Sequence, residues 1–173
     1  AIYPKDFHGI TPKLMCKEGD EISLGQPLFY SKSNPEIMFV SPSSGRISNI
    51  IRGARRKILS IEIIGNKKKS ALKHKIPSFS KITPNDIKKL LFSSGCWPFI
   101  KQRPYDIVAD PNLYPKSIFI SALSTVPLGA DVNFSLQGKE NDFKLGIEVL
   151  KKLTKKNLFL MCQPSKIHTF CIY

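Results

Sequence analysis

Glycine-containing turns recur at short intervals near the start of this chain, and they restrict it to folds built from short strands. One group runs from Lys17-Glu18-Gly19-Asp20 to Gly25-Gln26-Pro27. A second group reads Val40-Ser41-Pro42-Ser43-Ser44-Gly45. Glycine is favoured where a tight turn requires a positive φ angle or where another backbone approaches closely. The two groups therefore predict sharp chain reversals between β-strands.

Short segments rich in β-branched and other apolar residues accompany these turns. Strands are predicted over residues 14–17, 27–30, 37–40, 47–50 and 58–63. Strands of this length and spacing are typical of a small barrel or sandwich. The spacing of the glycines resembles the β hammerhead of biotinyl- and lipoyl-type barrels. Residues 1–64 are therefore predicted to form a biotinyl/lipoyl-like barrel-sandwich domain.

Domains of that type usually carry biotin or lipoate on an exposed lysine at a hairpin tip. The tip here is residues 30–36, and its lysine is Lys32. Carrier lysines have flanks such as Met-Lys-Met or Asp-Lys-Ala, whereas Lys32 lies between two serines and close to the Gly-Gln turn. A biotin or lipoate carrier module is thus an alternative function, and an ordinary surface lysine is favoured.

The chain changes character after residue 64. Residues 65–81 are rich in lysine and serine without hydrophobic periodicity, which predicts a linker. A helix is predicted to follow, with Thr83 as N-cap, Pro84 at its first position and Asp86 near its positive end. Gly95 is the predicted stop signal.

Strands and helices alternate in the remaining part. Residues 117–123 and 157–162 are predicted to be buried strands, 140–153 an amphipathic helix, and 169–172 a third strand. This order indicates a parallel sheet with crossover helices. Residues 82–173 are therefore predicted to be the incomplete beginning of an α/β Rossmann-like domain, and the whole chain is of mixed α+β class.

The net charge of +14 raises the question of nucleic-acid binding. Scattered lysines supply 22 of the 27 basic residues, whereas arginine, the better ligand for guanine edges and phosphates, supplies only 5. A solvated basic surface is therefore favoured, and no nucleic-acid partner is predicted. The sequence contains neither an apolar run long enough to span a bilayer nor a signal peptide, which predicts a cytoplasmic protein.

No motif predicts catalysis, cofactor binding or metal binding by this chain. The four cysteines are predicted to be buried free thiols, because they are far apart and form no Cys-x-x-Cys pair. Cys162, His168 and Cys171 lie near one another in sequence but lack a fourth ligand for zinc. No catalytic residue, cofactor ligand or metal ligand is therefore assigned.

Two basic features remain as candidate sites. Arg52, Arg55 and Arg56 crowd into one predicted turn, for which an acidic partner or lipid headgroups are the candidate ligands, although a plain solvated turn is favoured on sequence alone. Arg103 and Tyr105 lie in a segment of aromatic residues and prolines. The guanidinium there is expected to stack on an aromatic ring, Trp97 or Tyr105, or to bind a carboxylate, either within the protein or in a ligand.

Several segments, taken in order, resemble one protein family. They are residues 6–13, 17–20, 25–30, 34–37, 40–45, 52–57, 97–106, 118–122 and 142–154. The ordered set resembles the A subunit of the Na⁺-translocating NADH:quinone reductase (Na⁺-NQR) and covers nearly the whole chain. Compared with that family, the chain is expected to be a fragment that lacks the N-terminal start and the C-terminal half.

The resemblance implies a peripheral subunit on the cytoplasmic face of the bacterial inner membrane. The complex in that family oxidises NADH, reduces ubiquinone and exports Na⁺, which makes it a translocase. Its FAD, FMN, riboflavin and iron–sulfur centres are expected in other subunits, with no cofactor in this chain. The expected partners are the other subunits, chiefly the membrane-embedded B subunit, with quinone as a further candidate. Arg52, Arg55, Arg56, Arg103 and Tyr105 are the candidates for an interface or for proximity to quinone.

A related electron-transport protein is the main alternative within this class. The C subunit of the Rnf complex has a similar hammerhead and carries iron–sulfur cysteine runs. In that protein such runs would lie further along, beyond the span of the present chain, so this alternative stays open.

Overall fold

The computed structural model describes residues 1–66, 70–75, 82–124 and 126–162, with only the backbone described at Asn133. The chain divides into two compact units, Ala1–Leu113 and Tyr114–Tyr173. The first unit is mostly β-structure, and the second combines two strands with helices. Each unit is described separately below.

Six short strands build the first part of the first unit. They are β1 (Pro12–Leu14), β2 (Glu21–Ile22), β3 (Pro27–Ser31), β4 (Met38–Val40), β5 (Gly45–Arg52) and β6 (Ile58–Gly65). They form two antiparallel three-stranded sheets with the orders β1-β3-β4 and β2-β5-β6. The predicted pattern of short strands separated by turns is confirmed, and β2 is an additional strand.

The first strand lies earlier in the sequence than predicted. It covers Pro12–Leu14 rather than residues 14–17. Hydrogen bonding towards β3 continues only as far as Met15, whose N–H donates to the Leu28 carbonyl at 2.9 Å, whereas Lys17 N–H donates to the nearby Asp20 carboxylate at 2.8 Å. The Lys17 amide is therefore held by a turn instead of a strand ladder.

Strands of both sheets contribute buried apolar side chains. Leu28 and Phe29 on β3, Phe39 on β4, Ile47 on β5 and Ile61 on β6 are buried. The rings of Phe29 and Phe39 stack with centroids 4.6 Å apart and planes inclined by 10°. Leu28 and Phe29 are consecutive residues at a register shift between β3 and β4, so simple alternation does not account for both, and burial of their apolar surface stabilises the first unit.

The glycines of the turns have the roles that the sequence predicts. Gly19 and Gly25 have φ angles of 90° and 82°, in the region that favours glycine. Gly45 serves for close approach instead, because a Cβ there would collide with the backbone of Ile64 and Gly65 on the neighbouring strand. The turn predictions for Gly19 and Gly25 are confirmed, whereas Gly45 is the first residue of β5 and confirms the predicted close approach of another backbone.

Residues of the predicted linker contact the first unit. Leu24 forms an isolated parallel bridge with Ala71, in which Leu24 N–H donates to Ser70 O and Leu72 N–H donates to Leu24 O, both at 2.8 Å. Gly65 is the last residue of β6. The predicted division into 1–64, 65–81 and 82–173 stays a prediction.

Helix α1 (Pro84–Ser93) begins and ends at the predicted residues. Thr83 and Asp86 form a capping box, in which the Asp86 N–H donates to the Thr83 hydroxyl and the Thr83 N–H donates to the Asp86 carboxylate. At the other end Gly95 has φ of 71°, and the N–H groups of Gly95 and Cys96 donate to carbonyls of the last turn.

The capping box supplies a pH-dependent prediction. Hydrogen bonds from the Thr83 hydroxyl and then from its N–H lower the pKa of Asp86 from the ordinary value of 3.8. A lowered pKa in the folded state means that the stabilisation is present above the ordinary value and is lost as pH falls through the lowered value. In Thr83→Ala we expect the pKa of Asp86 to rise towards 3.8 and unfolding to depend less on pH in this acidic range.

An NMR titration of side-chain carboxyl groups measures this change. Glu140 is the internal control, because its pKa is lowered by its own backbone N–H and that of Gly138, far from Thr83 in sequence. An unchanged titration of Asp86 in the variant would contradict the assigned role of the threonine hydroxyl.

After α1, the first unit contains a short hairpin, which forms a backbone hydrogen bond with the N-terminal segment. A 3₁₀ turn at Trp97–Phe99 leads into β7 (Lys101–Gln102) and β8 (Ile107–Val108), which pair antiparallel. Ile2 exchanges two backbone hydrogen bonds of 2.9 Å with Ile61, and Val108 N–H donates to His8 O at 3.3 Å. The N-terminal segment thus joins the β2-β5-β6 sheet to the β7–β8 hairpin.

The second unit contains the predicted alternation of strand, helix and strand. Its elements are β9 (Ser117–Ser121), α2 (Val132–Leu136), α3 (Glu140–Lys151) and β10 (Asn157–Met161). Strands β9 and β10 pair in parallel, from Ser117 opposite Asn157 to Ser121 opposite Met161. A parallel pair with helices in the connection is a βαβ arrangement. The predicted third strand, 169–172, lies outside the described residues.

Candidate functional site

The arginine turn, residues Arg52–Lys57, connects the two longest strands of the first unit. Gly53 N–H donates to Lys57 O at 2.8 Å, and Lys57 N–H donates to Ala54 O at 3.2 Å. Between these bonds Arg55 and Arg56 have φ angles of 55° and 58°. The predicted turn before the last strand is therefore confirmed, and two consecutive residues other than glycine adopt left-handed conformations in it.

The side chains of the arginine turn carry four positive charges. Arg52, Arg55, Arg56 and Lys57 are all exposed. Within the part of the chain that the structure describes, none of them forms an ion pair with a carboxylate. The turn consequently presents unneutralised guanidinium and ammonium groups to any partner that approaches it.

Two carboxylates accept hydrogen bonds from residues of β5. Glu18 accepts from the Ile50 N–H at 2.7 Å, and Glu62 accepts from the Asn49 side-chain amide at 3.1 Å. From residue 37 to residue 61 the sequence has no acidic residue. The basic character of the arginine turn is therefore not balanced from within the hairpin.

The Arg103 turn, residues Arg103–Asp106, is the tip of the β7–β8 hairpin. The Arg103 side chain is 82% exposed, and its nearest guanidinium nitrogen lies 4.0 Å from the Asp106 carboxylate. Tyr105 is 76% exposed. An exposed ion pair at this separation contributes little to stability, so both side chains are available for contacts with a partner.

This geometry confirms one of the expected partners of Arg103 and excludes another. Asp106 provides the expected carboxylate, but Trp97 is buried and donates its indole N–H to Ala109 O at 2.8 Å. The prediction that Arg103 stacks on Trp97 is therefore wrong, because the indole is buried. Phe92 covers Trp97 with an edge-on ring contact at 4.8 Å.

An aromatic hollow lies beside the β7–β8 hairpin and was not predicted from the sequence. It has a volume of about 350 Å³ and its lining includes Tyr3, Asp6, Phe7, Phe99 and Lys101. The side chains of Phe7 and Phe99 meet edge to face with centroids 6.2 Å apart. The aromatic content of residues 97–105 was the available signal, whereas the contribution of residues 3–7 depends on a long-range contact.

The cysteines divide into different environments. Cys16 is buried, its thiol donates to Leu28 O at 3.4 Å, and burial, followed by the charge of Asp20, raises its pKa. A raised pKa keeps the thiol protonated and unreactive, as expected for a core residue. The expectation of burial is wrong for Cys96, which is exposed, and Cys162 is half-buried. The group Cys162, His168 and Cys171 extends beyond the described residues.

The described residues contain no group of three or more His, Cys, Asp or Glu side chains placed to hold a metal ion. In the same part of the chain, no helix is both long and apolar enough to cross a membrane. Lys32 follows β3 directly and is exposed, with its backbone N–H bonded to Thr11 O at 2.8 Å. The arginine turn and the Arg103 turn are therefore the candidate sites in the described structure.

Comparison with known proteins gives one consistent family. A model described as "NqrA N-terminal barrel-sandwich hybrid domain" matches residues 1–66, and one described as "NqrA second alpha/beta domain" matches residues 82–170. The barrel-sandwich and α/β parts of the predicted fold are thereby confirmed. Both models belong to the family that the sequence resembles, not to a carrier protein or an Rnf protein.

Individual relatives agree with the family models. The chain is 34% identical over 162 residues to the A subunit of the Na⁺-translocating NADH-quinone reductase of Histophilus somni (strain 129Pt), covering 92% of this chain and 36% of the relative. The protein of the same name in Yersinia pestis is 33% identical over 156 residues, covering 89% and 35%. That of Neisseria meningitidis serogroup B is 31% identical over 160 residues, covering 91% and 36%.

The chain spans only about a third of the length of these relatives. Within that span, the barrel-sandwich match lies inside the first structural unit, and the α/β match begins with α1 in that unit and continues through the second. The chain belongs to the NqrA family, the A-type subunits of the Na⁺-translocating NADH-quinone reductases.

Proposed function

We propose that this chain acts as part of a peripheral subunit in a complex that couples NADH oxidation and ubiquinone reduction to Na⁺ export. The observation that carries the proposal is the succession of both NqrA domain matches along one chain. The names of the relatives, each the A subunit of a Na⁺-translocating NADH-quinone reductase, support the same activity for the complex.

The redox centres are proposed to belong to other subunits. FAD, FMN, riboflavin and the iron–sulfur centres would then lie outside this chain, which contributes no catalytic residue of its own. The assignment rests on the family resemblance, in which these centres are expected in other subunits. The chain would serve the translocase by assembly and positioning rather than by electron transfer.

The proposed location is the cytoplasmic face of the inner membrane, against the membrane-embedded B subunit near the quinone end of the complex. Two exposed turns are the proposed docking elements: the arginine turn and the Arg103 turn. The Arg103 turn combines a guanidinium with an exposed tyrosine, and both residue types are enriched among residues that dominate protein–protein binding. The hammerhead geometry and a Rossmann-like completion of the second domain are part of the same proposal.

Simultaneous replacement of Arg103 and Tyr105 by serine tests the docking role. Both side chains are exposed, so we expect the variant to fold normally. Loss of an aromatic and an arginine anchor at an interface typically costs roughly 2 kcal/mol or more, equivalent to at least about 30-fold weaker binding. The measurement is the amount of each other subunit that co-purifies with the affinity-tagged protein from detergent-solubilised membranes.

A matched control is available in the second unit. Tyr114 is exposed and the ammonium of Lys155 lies 5.4 Å from its ring centroid, so the double serine variant there also removes one cation and one tyrosine. We expect this control to co-purify with the other subunits as the unmutated protein does. Equal recovery from the control and from the Arg103 and Tyr105 variant would contradict the proposed docking role of the Arg103 turn.

A further inference from the structure

The backbone of the arginine turn adopts a conformation that is unfavourable for arginine. Two consecutive positive φ angles, as at Arg55 and Arg56, are the requirement of a type I′ hairpin turn. Asn-Gly or Gly-Gly sequences satisfy that requirement, whereas a Cβ in the left-handed region is unfavourable. Arginine at both positions therefore opposes folding, and strain of this kind is typically retained where the side chains have a function.

The charges of the arginine turn face outward without a partner in the described structure. Four of its six residues are cationic and exposed. Strand β2 pairs with β5 only at Gly45 and Arg46, far along the strand from the turn. The turn end of the hairpin is therefore left uncovered by that neighbour.

Two aliphatic side chains lie beside the cations. Ile51 and Leu59, on the strands that enter and leave the turn, are 42% and 43% exposed. Leu59 lies next to Gly53, where an added Cβ would be 3.2 Å from its methyl groups. Basic residues with flanking aliphatic groups are the composition of surfaces that bind at the boundary between lipid headgroups and acyl chains.

The same region lacks the features of a nucleic-acid site. Residues 45–65 contain no aromatic side chain on which a base would stack. Ile51 and Leu59 would also have no role in a nucleic-acid site, because contacts to the phosphates of a duplex are made by polar and charged groups. An anionic membrane surface therefore fits the composition of the hairpin better than a nucleic acid.

We propose that the arginine turn binds the anionic phospholipid headgroups of the membrane, with Ile51 and Leu59 reaching the acyl boundary. This inference deepens the proposed function and rests on it, since it names what one docking element contacts. The phosphate oxygens would accept hydrogen bonds from the guanidinium groups of Arg52, Arg55 and Arg56. The aliphatic contacts would add a contribution that salt does not screen.

The test uses the 173-residue chain and two kinds of vesicle. One kind contains equimolar phosphatidylcholine and phosphatidylglycerol, and the other contains phosphatidylcholine alone. We expect co-sedimentation with the anionic vesicles only, and binding that weakens as salt is added. Each basic residue near an anionic surface strengthens binding about fivefold, so replacing both Arg55 and Arg56 by glycine should weaken it about 30-fold.

The glycine variant separates binding from folding. Glycine relieves the left-handed strain at both positions, so we expect thermal unfolding at the same temperature or a higher one while vesicle binding weakens about 30-fold. Arg55→Lys together with Arg56→Lys keeps the charge and is expected to bind within about threefold of the unmutated chain. The charge-matched control is Lys17→Gln with Lys32→Gln, two exposed lysines outside the turn, which should retain most of the binding.

Three results would overturn the inference: absence of binding to anionic vesicles at low salt, equal losses in the glycine variant and the lysine control, or turn-dependent binding to duplex DNA without vesicle binding.

The vesicle assay contains no other protein of the complex, so it is independent of the co-purification assay. Vesicle binding without co-purification would reject the proposed function alone. Co-purification without vesicle binding would reject the lipid contact alone.

Discussion

Replacing Gly45 by alanine is expected to lower the free energy of unfolding by about 3 kcal/mol, the upper part of the range for overpacking. The added Cβ would collide with the carbonyl group of Ile64 and the Cα of Gly65, which are backbone atoms of β6. β5 cannot move away freely, because β2 pairs with it at Gly45 and Arg46 on the other side. Thermal unfolding followed by circular dichroism should show a midpoint roughly 6–12 °C lower.

A glycine in open surroundings is the matched control. At Gly146 in α3 an added Cβ would meet no other atom within 4 Å. Alanine there should stabilise the chain by about 0.5–1 kcal/mol, because glycine is a poor helix former. If Gly45→Ala unfolded at the same temperature as the unmutated protein, the close pairing of β5 with β6 would be incorrect.

Replacing Phe29 by alanine is the second substitution with a large expected effect. Phe29 is fully buried and stacks on Phe39, which in turn makes an edge-on contact with Phe7. Removal of a buried phenylalanine ring loses its transfer free energy and leaves a cavity, which together cost about 3–5 kcal/mol. Urea unfolding should show a lower midpoint with little change in slope, since the surface exposed on unfolding stays similar.

The control for Phe29 is a stacked ring in an exposed position. Phe119 on β9 and Phe159 on β10 stack with centroids 4.9 Å apart, but Phe119 is 70% exposed. Phe119→Ala should therefore cost less than about 1.5 kcal/mol, the range for a ring pair without burial. Comparable losses in the two variants would mean that Phe29 does not belong to the packed core of the first unit.

Features that depend on neighbouring residues were predictable from the sequence. Thr83, Pro84 and Asp86 predicted the start of α1, and Gly95 predicted its end, because capping requires specific side chains and φ angles at fixed positions. The turn at Arg52–Lys57 was predictable for a similar reason, since the strands on either side are apolar and the turn is not.

Features that depend on distant residues were not predictable in the same way. The bonds between Ile2 and Ile61 and from Val108 to His8 join segments far apart in sequence, and no local pattern encodes such pairing. The aromatic hollow beside the β7–β8 hairpin arises from these contacts, so Tyr3 and Phe7 were missed. The Ser70–Leu72 pairing with Leu24 escaped prediction because a lysine- and serine-rich segment has no strand periodicity.

The candidate site was predicted by residue type but not by conformation. The sequence indicates a cluster of arginines, and charge alone is compatible with a solvated turn. The left-handed backbone at Arg55 and Arg56 is a property of the folded hairpin, where it is imposed by the twist of β5 and β6. That conformation distinguishes the arginine turn from the scattered lysines elsewhere on the surface.

Purification of the unmutated protein from membranes of the organism that encodes it, through an affinity tag, tests the central claim most directly. The measurement is the composition of the eluate, together with its NADH:quinone reductase activity with and without Na⁺. Membership of a Na⁺-translocating complex predicts that the other subunits elute with the protein and that Na⁺ stimulates the activity. Elution of the protein alone, with all Na⁺-stimulated activity left in the unbound fraction, would contradict the claim.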